Sequence, residues 1–318
     1  MGHDRILPGN LRESSGGSFA GSFAGSAETI WQAVMALQQP TLAGFSVEIL
    51  PEIDSTNTEL MRRARAGRTE PSLLVALRQT AGRGRLGRSW LSGVASGVAS
   101  GAAPSSAALP QAAGEAAHST SLTFSLGLLL KPAAWDGLSL AVGTSLACSL
   151  HDRIQLKWPN DLWIDGRKLA GILIETAPAA DGARYAVLGV GINLLPRPPE
   201  GLSTAPAALS ELLATISPAQ ALERVAAPLL RDVLQFEREG FAAFASRFAA
   251  RDALQGRQVN VLAAHPGPAG IAGEPASPAG ASGTAQGVNA QGALLLRTAA
   301  GVQAITSSEV SVRPVAVP

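Results

Sequence analysis

With 318 residues, of which 46% are apolar and 15% charged, the chain is long enough to bury one large core and a second, smaller one. Its 25 basic and 24 acidic side chains nearly cancel, which excludes a general basic coat for nucleic acid and leaves room only for a local basic site. A single cysteine excludes an intramolecular disulfide, and no stretch reaches the roughly 20 apolar residues that cross a bilayer. These totals predict a soluble, cytoplasmic protein in which Cys148 is a buried, inert thiol.

The first 44 residues predict a low-complexity leader. Residues 1–26 are polar and glycine-rich, so we expect no fixed structure there, and a short helix is predicted from Glu28 to Leu37. A strand is expected over Ser46–Leu50. The sequence Asp-Ser-Thr-Asn at 54–57 then carries a helix-start signal, because short polar side chains cap free backbone N–H groups.

An arginine-rich loop, Gln79–Trp90, follows the buried strand predicted at Leu73–Leu77. Residues 82–88 read Gly-Arg-Gly-Arg-Leu-Gly-Arg. Glycine lets backbone N–H groups approach an anion, and arginine adds forked, permanently charged donors. Alone, the loop is compatible with a phosphate or carboxylate site and equally with a basic turn that grips a nucleic-acid backbone.

Between Ser92 and Thr120 the composition collapses to Ala, Gly, Ser, Val and Pro, which predicts a mobile insertion over 92–120. A strand at Ser121–Leu130 and an apolar helix at Leu138–Asp152 follow.

The next stretch predicts four strands and their turns. Gln155–Asp161 is a strand that runs into a proline-marked turn, and the Asp-Gly pair at 165–166 predicts a hairpin between Leu162–Ile164 and Leu169–Glu175. The strand Tyr185–Leu195 carries two glycines in a Gly-x-Gly spacing. Such positions often mark close approach of a ligand or another backbone.

Ser217-Pro218 begins a long amphipathic helix toward Glu239, and Phe241–Ala250 is expected to add another. A domain boundary near 251–256 separates these helices from a small β-barrel over 253–318, with a loop insertion at 263–292. The barrel's predicted strands are Gln258–Leu262, Ala293–Arg297, Val302–Ile305 and Glu309–Arg313.

Five sequence motifs, in this order along the chain, resemble those of the biotin protein ligases. They are Asp-Ser-Thr-Asn, Gln-x-x-Gly-Arg-Gly-Arg-x-Gly-Arg-x-Trp, Lys-Trp-Pro-Asn-Asp, Arg-Lys-Leu-Ala-Gly-Ile-Leu-x-Glu and Gly-x-Gly-Ile-Asn. The resemblance covers about residues 46–195, and the C-terminal region matches only in size and strand-like pattern. It implies attachment of biotin, through biotinyl-5′-AMP, to one lysine of a biotin carboxyl carrier protein. ATP and Mg²⁺ would be the cofactors and biotin the substrate.

The resemblance also implies a fold and a domain division. The fold would be α/β (α+β), with a mixed-sheet catalytic domain similar to the class II aminoacyl-tRNA synthetases over 45–252 and an SH3-like barrel over 253–318. Too few residues precede 45 to form a DNA-binding winged helix, so a monofunctional ligase without DNA or membrane partners is expected. The oligomeric state stays open, a homodimer included.

The expected site residues are transferred from the family's sequence motifs position by position. The expected catalytic residues are Lys168, Arg83, Arg85 and Asp161. The expected biotin-binding residues are Ser55, Thr56, Asn57, Gln79, Gly82, Arg83, Gly84, Arg85, Lys168, Gly171 and Gly189. The expected ATP-binding residues are Arg85, Arg88, Trp90, Lys157, Asn160, Gly191 and Asn193, and no protein metal site is expected.

The residue types suit that chemistry. Joining a carboxylate to an α-phosphate brings two anions together, so fixed positive charge is needed more than a nucleophile. Taken singly, Ser55 is better explained as a helix cap, Lys168 as a surface lysine and Trp90 as a core aromatic. Two other functions remain as alternatives: a lipoate or octanoate transferase of related fold, and a nucleic-acid-binding module.

Overall fold

Two β-sheets organise the chain. The computed structural model describes residues 5–7, 11–13, 20–92, 119–199, 204–263, 280–306 and 310–315. Apart from its ends, the predicted insertion 92–120 lies outside these residues, and so does 264–279 of the predicted C-terminal loop.

The first sheet has seven principal strands, β3–β9, with two short strands, β1 and β2, along its β3 edge. The strands are β1 Arg5–Leu7, β2 Leu11–Glu13, β3 Ser46–Ile53, β4 Ser72–Gln79, β5 Ser121–Leu130, β6 Gln155–Lys157, β7 Asp161–Ile164, β8 Arg167–Pro178 and β9 Arg184–Asn193. Their spatial order is β1-β2-β3-β4-β5-β9-β8-β7-β6. The β2–β3 and β3–β4 pairs are parallel and the others antiparallel, so the sheet is mixed.

Helices cover both faces of this sheet. They are α1 Ala20–Met35, α2 Thr56–Arg65, α3 Leu138–Leu150, α4 Pro218–Glu239 and α5 Ala245–Ala249. α1, α3 and α4 pack together and bury the large core, whereas α2 buries Leu60 and Met61 against the sheet in a separate cluster. β5 lies between the two layers and is buried over most of its length. Its residues alternate, so that Leu122, Phe124 and Leu126 belong to the large core while the small polar Ser121, Thr123 and Ser125 are buried on the other face.

Two predictions about the helices are wrong. α1 begins at Ala20, inside the segment expected to have no fixed structure, and Phe23 and Ala27 are buried in the large core. The spacing of Phe23, Ala27 and Ile30 makes an apolar stripe that the surrounding Gly and Ser residues obscure in the sequence. Cys148 is exposed rather than buried, because the last turn of α3 leaves its side uncovered.

The second sheet is antiparallel and five-stranded. Its strands are β10 Gln258–Ala263, β11 Ser282–Val288, β12 Leu294–Thr298, β13 Gly301–Ile305 and β14 Val310–Pro314, in the order β13-β12-β11-β10-β14. β11 lies inside the segment predicted to be a loop, so that prediction is wrong for 282–288. Small residues hid the strand; at Gly283 a side chain would collide with the Arg297 carbonyl across the pair.

The two sheets meet around Trp158. The Trp158 indole Nε1 donates to the Gly292 carbonyl of the second sheet's β11–β12 turn at 3.0 Å. On the neighbouring β6, the Leu156 N–H donates to the Arg251 carbonyl at 2.8 Å. The turn between β6 and β7 is therefore held from both sides.

Among the described residues, no helix has the length and apolar content needed to span a membrane.

Candidate active site

One cavity of about 990 Å³ opens between the first sheet, the arginine loop and the second sheet. All the site residues expected from the sequence line it, except Gly82 and Asn193. Gly82 lies directly behind it, where its carbonyl accepts from the Trp90 N–H at 2.8 Å. The fold thus brings together residues from four separate stretches of the chain.

The N-terminus of α2 forms one polar end of the cavity. Ser55 caps the helix, its Oγ accepting from the Thr58 N–H at 3.4 Å. The Gln79 Oε1 accepts from both the N–H and the hydroxyl of Thr56, at 2.8 and 3.2 Å. These bonds fix the Gln79 carboxamide with its Nε2 as the group that can donate to a ligand.

Asn57 lies beside this end and is buried. Its Nδ2 donates to the Glu175 Oε2 at 3.0 Å and to the Leu173 carbonyl at 3.3 Å. Its Oδ1 lies 2.6 Å from the Ser125 hydroxyl and against Gly189, where a Cβ would overlap the carboxamide. Gly189, expected to admit a ligand, therefore admits the Asn57 side chain.

The opposite part of the cavity is cationic. The Lys168 Nζ lies 2.6 Å from the Asp161 Oδ1, and the Lys157 Nζ lies 4.0 Å from the Asp161 Oδ2. Burial is the main cause that brings the pKa of Lys157 down to about 8, with Asp161 opposing the shift and the positive charges of Lys168, Arg88 and Arg313 adding to it. One carboxylate thus faces two ammonium groups, which leaves net positive charge for an anion.

The main chain of Lys168 is clamped from two sides. Its N–H donates to the Ala205 carbonyl and its carbonyl accepts from the Ala207 N–H, both at 2.8 Å. The Asn193 Nδ2 also donates to the Lys168 carbonyl at 3.2 Å. Asn193 was expected to bind ATP, but it is buried behind the wall, where it holds the backbone of Lys168.

The arginine loop lies across the cavity. The Arg83 Nη1 is 3.4 Å from the Glu175 Oε1, and the Arg85 Nη1 is 3.4 Å from the Asn160 Oδ1. Burial lowers the pKa of Arg85, although an arginine stays charged at any physiological pH. Arg88 is exposed at the mouth. Of the three arginines, only Arg85 is partly buried, whereas Arg83 and Arg88 are exposed.

Trp90 closes the loop against the sheet. Its ring packs on Gly191, where a Cβ would overlap the ring, and lies close to Gly171 of the adjacent strand. Gly171 and Gly191 are cross-strand partners, so together they form a flat backbone surface on which the indole packs. These glycines, like Gly189, accommodate protein side chains and also line the cavity, so their predicted contact with a ligand stays a prediction.

Several residues of the site had no predicted role. The Arg197 guanidinium lies 5.5 Å from the centre of the Trp90 ring, and the second sheet contributes Arg257 and Arg313 to the cavity wall. Glu175 belongs to one of the five motifs but was assigned no role, and Ser125 belongs to none of them. The alternation of Val310 and Val312 with polar Ser311 and Arg313 predicts a strand, but it does not indicate that the polar face lines this cavity.

Comparison with known proteins places this geometry in a family. The chain is 31% identical over 267 residues to the biotin–[acetyl-CoA-carboxylase] ligase of Paracoccus denitrificans, an alignment that covers 82% of this chain and 98% of that protein. It is 32% identical over 282 residues to the bifunctional ligase/repressor BirA of Escherichia coli, covering 86% of this chain and 75% of that protein. The chain belongs to the biotin protein ligase family.

Family models agree with this membership. The biotin/lipoate A/B protein ligase family model matches residues 113–193, and the biotin protein ligase C-terminal domain model matches residues 280–313. The biotin protein ligase from Aquifex aeolicus, solved in complex with biotin and ATP, superposes with a TM-score of 0.62 at 25% identity, covering 85% of this chain and 99% of that one. The family resemblance that the sequence motifs indicated is thus confirmed.

Proposed function

We propose that the protein activates biotin with ATP to biotinyl-5′-AMP and transfers the biotinyl group to one lysine of a biotin carboxyl carrier domain. The observation that carries this proposal is the polarity of the cavity of about 990 Å³. A neutral hydrogen-bonding end at Thr56, Asn57 and Gln79 adjoins a cationic part at Lys168 and Arg85. A ligand with a ureido head and a carboxylate tail matches that order.

In the first step, a carboxylate oxygen of biotin attacks the α-phosphorus of ATP. The bond to the β-phosphate oxygen breaks, and pyrophosphate leaves with its electron pair. Negative charge is concentrated where the two anions meet, so Arg83, Arg85 and Lys168 would stabilise the transition state electrostatically. Lys157 and Arg88 would engage the phosphates, and Trp90 would offer a flat surface to the adenine.

In the second step, the neutral amine of the carrier's lysine attacks the acyl carbon, the bond from that carbon to the phosphate oxygen breaks, and AMP leaves with its electron pair as the amide forms. The attacking nitrogen releases one proton to solvent during this step. Asp161 holds Lys168 at 2.6 Å, so its proposed role is to place the ammonium beside the reacting acyl phosphate. No Ser/His/Asp arrangement is needed, because substrate and carrier supply the nucleophiles.

Mg²⁺ would arrive with the nucleotide. The cavity wall contributes one carboxylate, Asp161, which is already paired with Lys168, and the described residues contain no group of three acidic, His or Cys side chains. That donor set does not form a protein cage. Phosphate oxygens and water would therefore hold the ion, as Mg²⁺ prefers in nucleotide sites.

The finer fold and boundaries belong to the same proposal. Helices on both faces of a mixed sheet support a catalytic domain over 45–252 similar to the class II aminoacyl-tRNA synthetases. Five short antiparallel strands support an SH3-like barrel over 253–318. The cytoplasmic location and the absence of operator binding remain predictions, to be tested by fractionation and mobility shift. The oligomeric state stays open, and light scattering would determine it.

The deciding experiment uses purified protein with ATP, Mg²⁺, biotin and a biotin carboxyl carrier domain, with avidin detection of the product. Biotin-dependent exchange of pyrophosphate into ATP reports the first step alone. We expect both signals, and an excess of lipoate should not compete with labelled biotin. Absence of biotin-dependent exchange in the folded protein would refute the proposed function.

A further inference from the structure

Glu175 connects two parts of the cavity without lining it. Its side chain, on β8, is 22% exposed and lies behind the wall. One carboxylate oxygen accepts from the Asn57 Nδ2 at 3.0 Å, and the other lies 3.4 Å from the Arg83 Nη1. Any effect of Glu175 on a bound ligand must therefore act through these two side chains.

The hydrogen bonds of Asn57 define which of its atoms a ligand can use. Both hydrogens of Nδ2 are engaged, one by Glu175 and one by the Leu173 carbonyl at 3.3 Å. Oδ1 accepts from the Ser125 hydroxyl at 2.6 Å and keeps a second lone pair. The carboxamide thus offers the cavity an acceptor and no donor.

The orientation of this carboxamide depends on Glu175. A carboxylate accepts hydrogen bonds only, so it rejects the flipped arrangement in which Oδ1 would face it. Without Glu175, the Leu173 carbonyl would be the remaining Nδ2 partner described here, at a longer distance. The flip would present N–H groups to the ligand in place of an oxygen.

Gln79 is fixed with the opposite polarity. Its Oε1 is engaged by Thr56, so it can offer Nε2 as a donor. The polar end therefore combines one fixed acceptor with one fixed donor. A cyclic urea carries N–H donors on either side of a carbonyl acceptor, and this pattern is complementary to it.

We propose that Glu175 is a positioning residue for the ureido ring, because its carboxylate holds the Asn57 carboxamide with the oxygen available to a ureido N–H. This inference rests on the proposed function, since it takes biotin as the ligand. It assigns to Glu175 a contribution to biotin affinity that is independent of the nucleotide.

The test compares two neutral replacements of similar length. Glu175→Gln keeps an oxygen that can accept from Asn57, whereas Glu175→Met removes it, and both remove the charge beside Arg83. We expect Glu175→Met to raise the KM for biotin in pyrophosphate exchange about tenfold, the usual effect of losing one such bond. Glu175→Gln should stay within about threefold of wild type, and the KM for ATP should not change in either variant.

A matched control is Glu52→Met, which removes an exposed carboxylate paired with Arg78 on the same sheet and should leave both KM values unchanged. Equal effects of Gln and Met would mean that the charge beside Arg83 matters and would overturn the inference. So would a rise in the KM for ATP, or an unaltered KM for biotin in Glu175→Met. If neither Glu175→Met nor Glu175→Ala folds, the carboxylate serves the fold and the inference fails. A wild-type protein without biotin-dependent exchange would instead refute the proposed function itself.

Discussion

The ammonium of Lys168 and the carboxylate of Asp161 lie 2.6 Å apart across the β7–β8 hairpin. Asp161 is seven residues before Lys168 in the sequence, and the hairpin turn at 165–166 brings them together. The pair fixes the ammonium in the cationic part of the cavity.

Replacing Lys168 should abolish most activity and leave the fold intact. The side chain is 28% exposed, so Lys168→Ala removes charge without opening the core. We expect biotin-dependent pyrophosphate exchange to fall roughly 100-fold to 1000-fold, the effect of losing one donor to a developing charge. Circular dichroism should show an unchanged melting temperature. Lys131→Ala removes a surface lysine that contacts the Asp181 carbonyl and should retain full exchange.

Lys157 should make stability depend on pH in a defined window. Its pKa of about 8 in the folded protein lies below the ordinary 10.5, so between these values the unfolded chain binds more protons. Stability therefore rises with pH through that window, and the cost of burying the charge is fully present below it. Urea unfolding of wild type and Lys157→Met at about pH 7.5 and 9.5 should show wild type gaining on the order of 2 kcal/mol relative to the variant. A pH-independent difference between the two would contradict the burial of this ammonium.

A methyl group at Gly191 should disturb nucleotide binding. The Cβ would overlap the Trp90 indole, so the ring must leave the backbone surface on which it packs. Losing an aromatic platform weakens binding by about 1 kcal/mol or more, and we expect Gly191→Ala to raise the KM for ATP roughly tenfold. Its cross-strand partner gives the comparison: in Gly171→Ala the Cβ would meet the Trp90 ring at an ordinary 3.7 Å but the Lys168 Nζ at a tight 3.3 Å, so kcat should fall while the KM for ATP holds within about threefold. Similar shifts in both variants would argue against the indole as the cause.

Trp158→Phe should destabilise the protein by disconnecting the two sheets. The variant keeps a buried ring but leaves the Gly292 carbonyl without its 3.0 Å donor. An unpaired buried carbonyl costs about 1–3 kcal/mol. Chemical denaturation should show that loss. Trp163→Phe removes an indole nitrogen that has no hydrogen-bond partner among the described residues, so its loss should be smaller.

Cys148 should react in the native protein. The thiol is exposed on α3, so Ellman's reagent should titrate one thiol per chain within minutes, at the rate seen in denaturant. Slow or absent reaction in the folded state would contradict the exposure of Cys148 and support the composition-based prediction that its thiol is buried.

The sequence predicted best what is local. The Asp165-Gly166 turn and its two strands follow from a short pattern, as do the Ser55 cap and the long helix that begins at Pro218. Each depends on neighbours within a few residues. The family's sequence motifs then predicted which stretches of the chain meet in the cavity. No local pattern could predict those contacts.

What remained unpredicted depends on contacts between distant parts of the chain. Asn57 and Glu175 are 118 residues apart, and no periodicity indicates that one orients the other. β11 and the beginning of α1 are rich in small residues, so their composition resembled a linker until packing against larger partners defined them. The close packing at Gly189 and Gly191 was not predictable for the same reason, since the side chains that lie against them come from Asn57 and Trp90.

The backbone clamp on Lys168 links the chemistry to a second segment of the cavity wall. Thr204 and Pro206 line the cavity, and their neighbours Ala205 and Ala207 carry the two main-chain bonds to Lys168. The main-chain position of Lys168 therefore depends on a segment that follows it by more than 35 residues and forms part of the same wall. Two peptide hydrogen bonds couple the placement of residues 204–207 to that of the catalytic lysine.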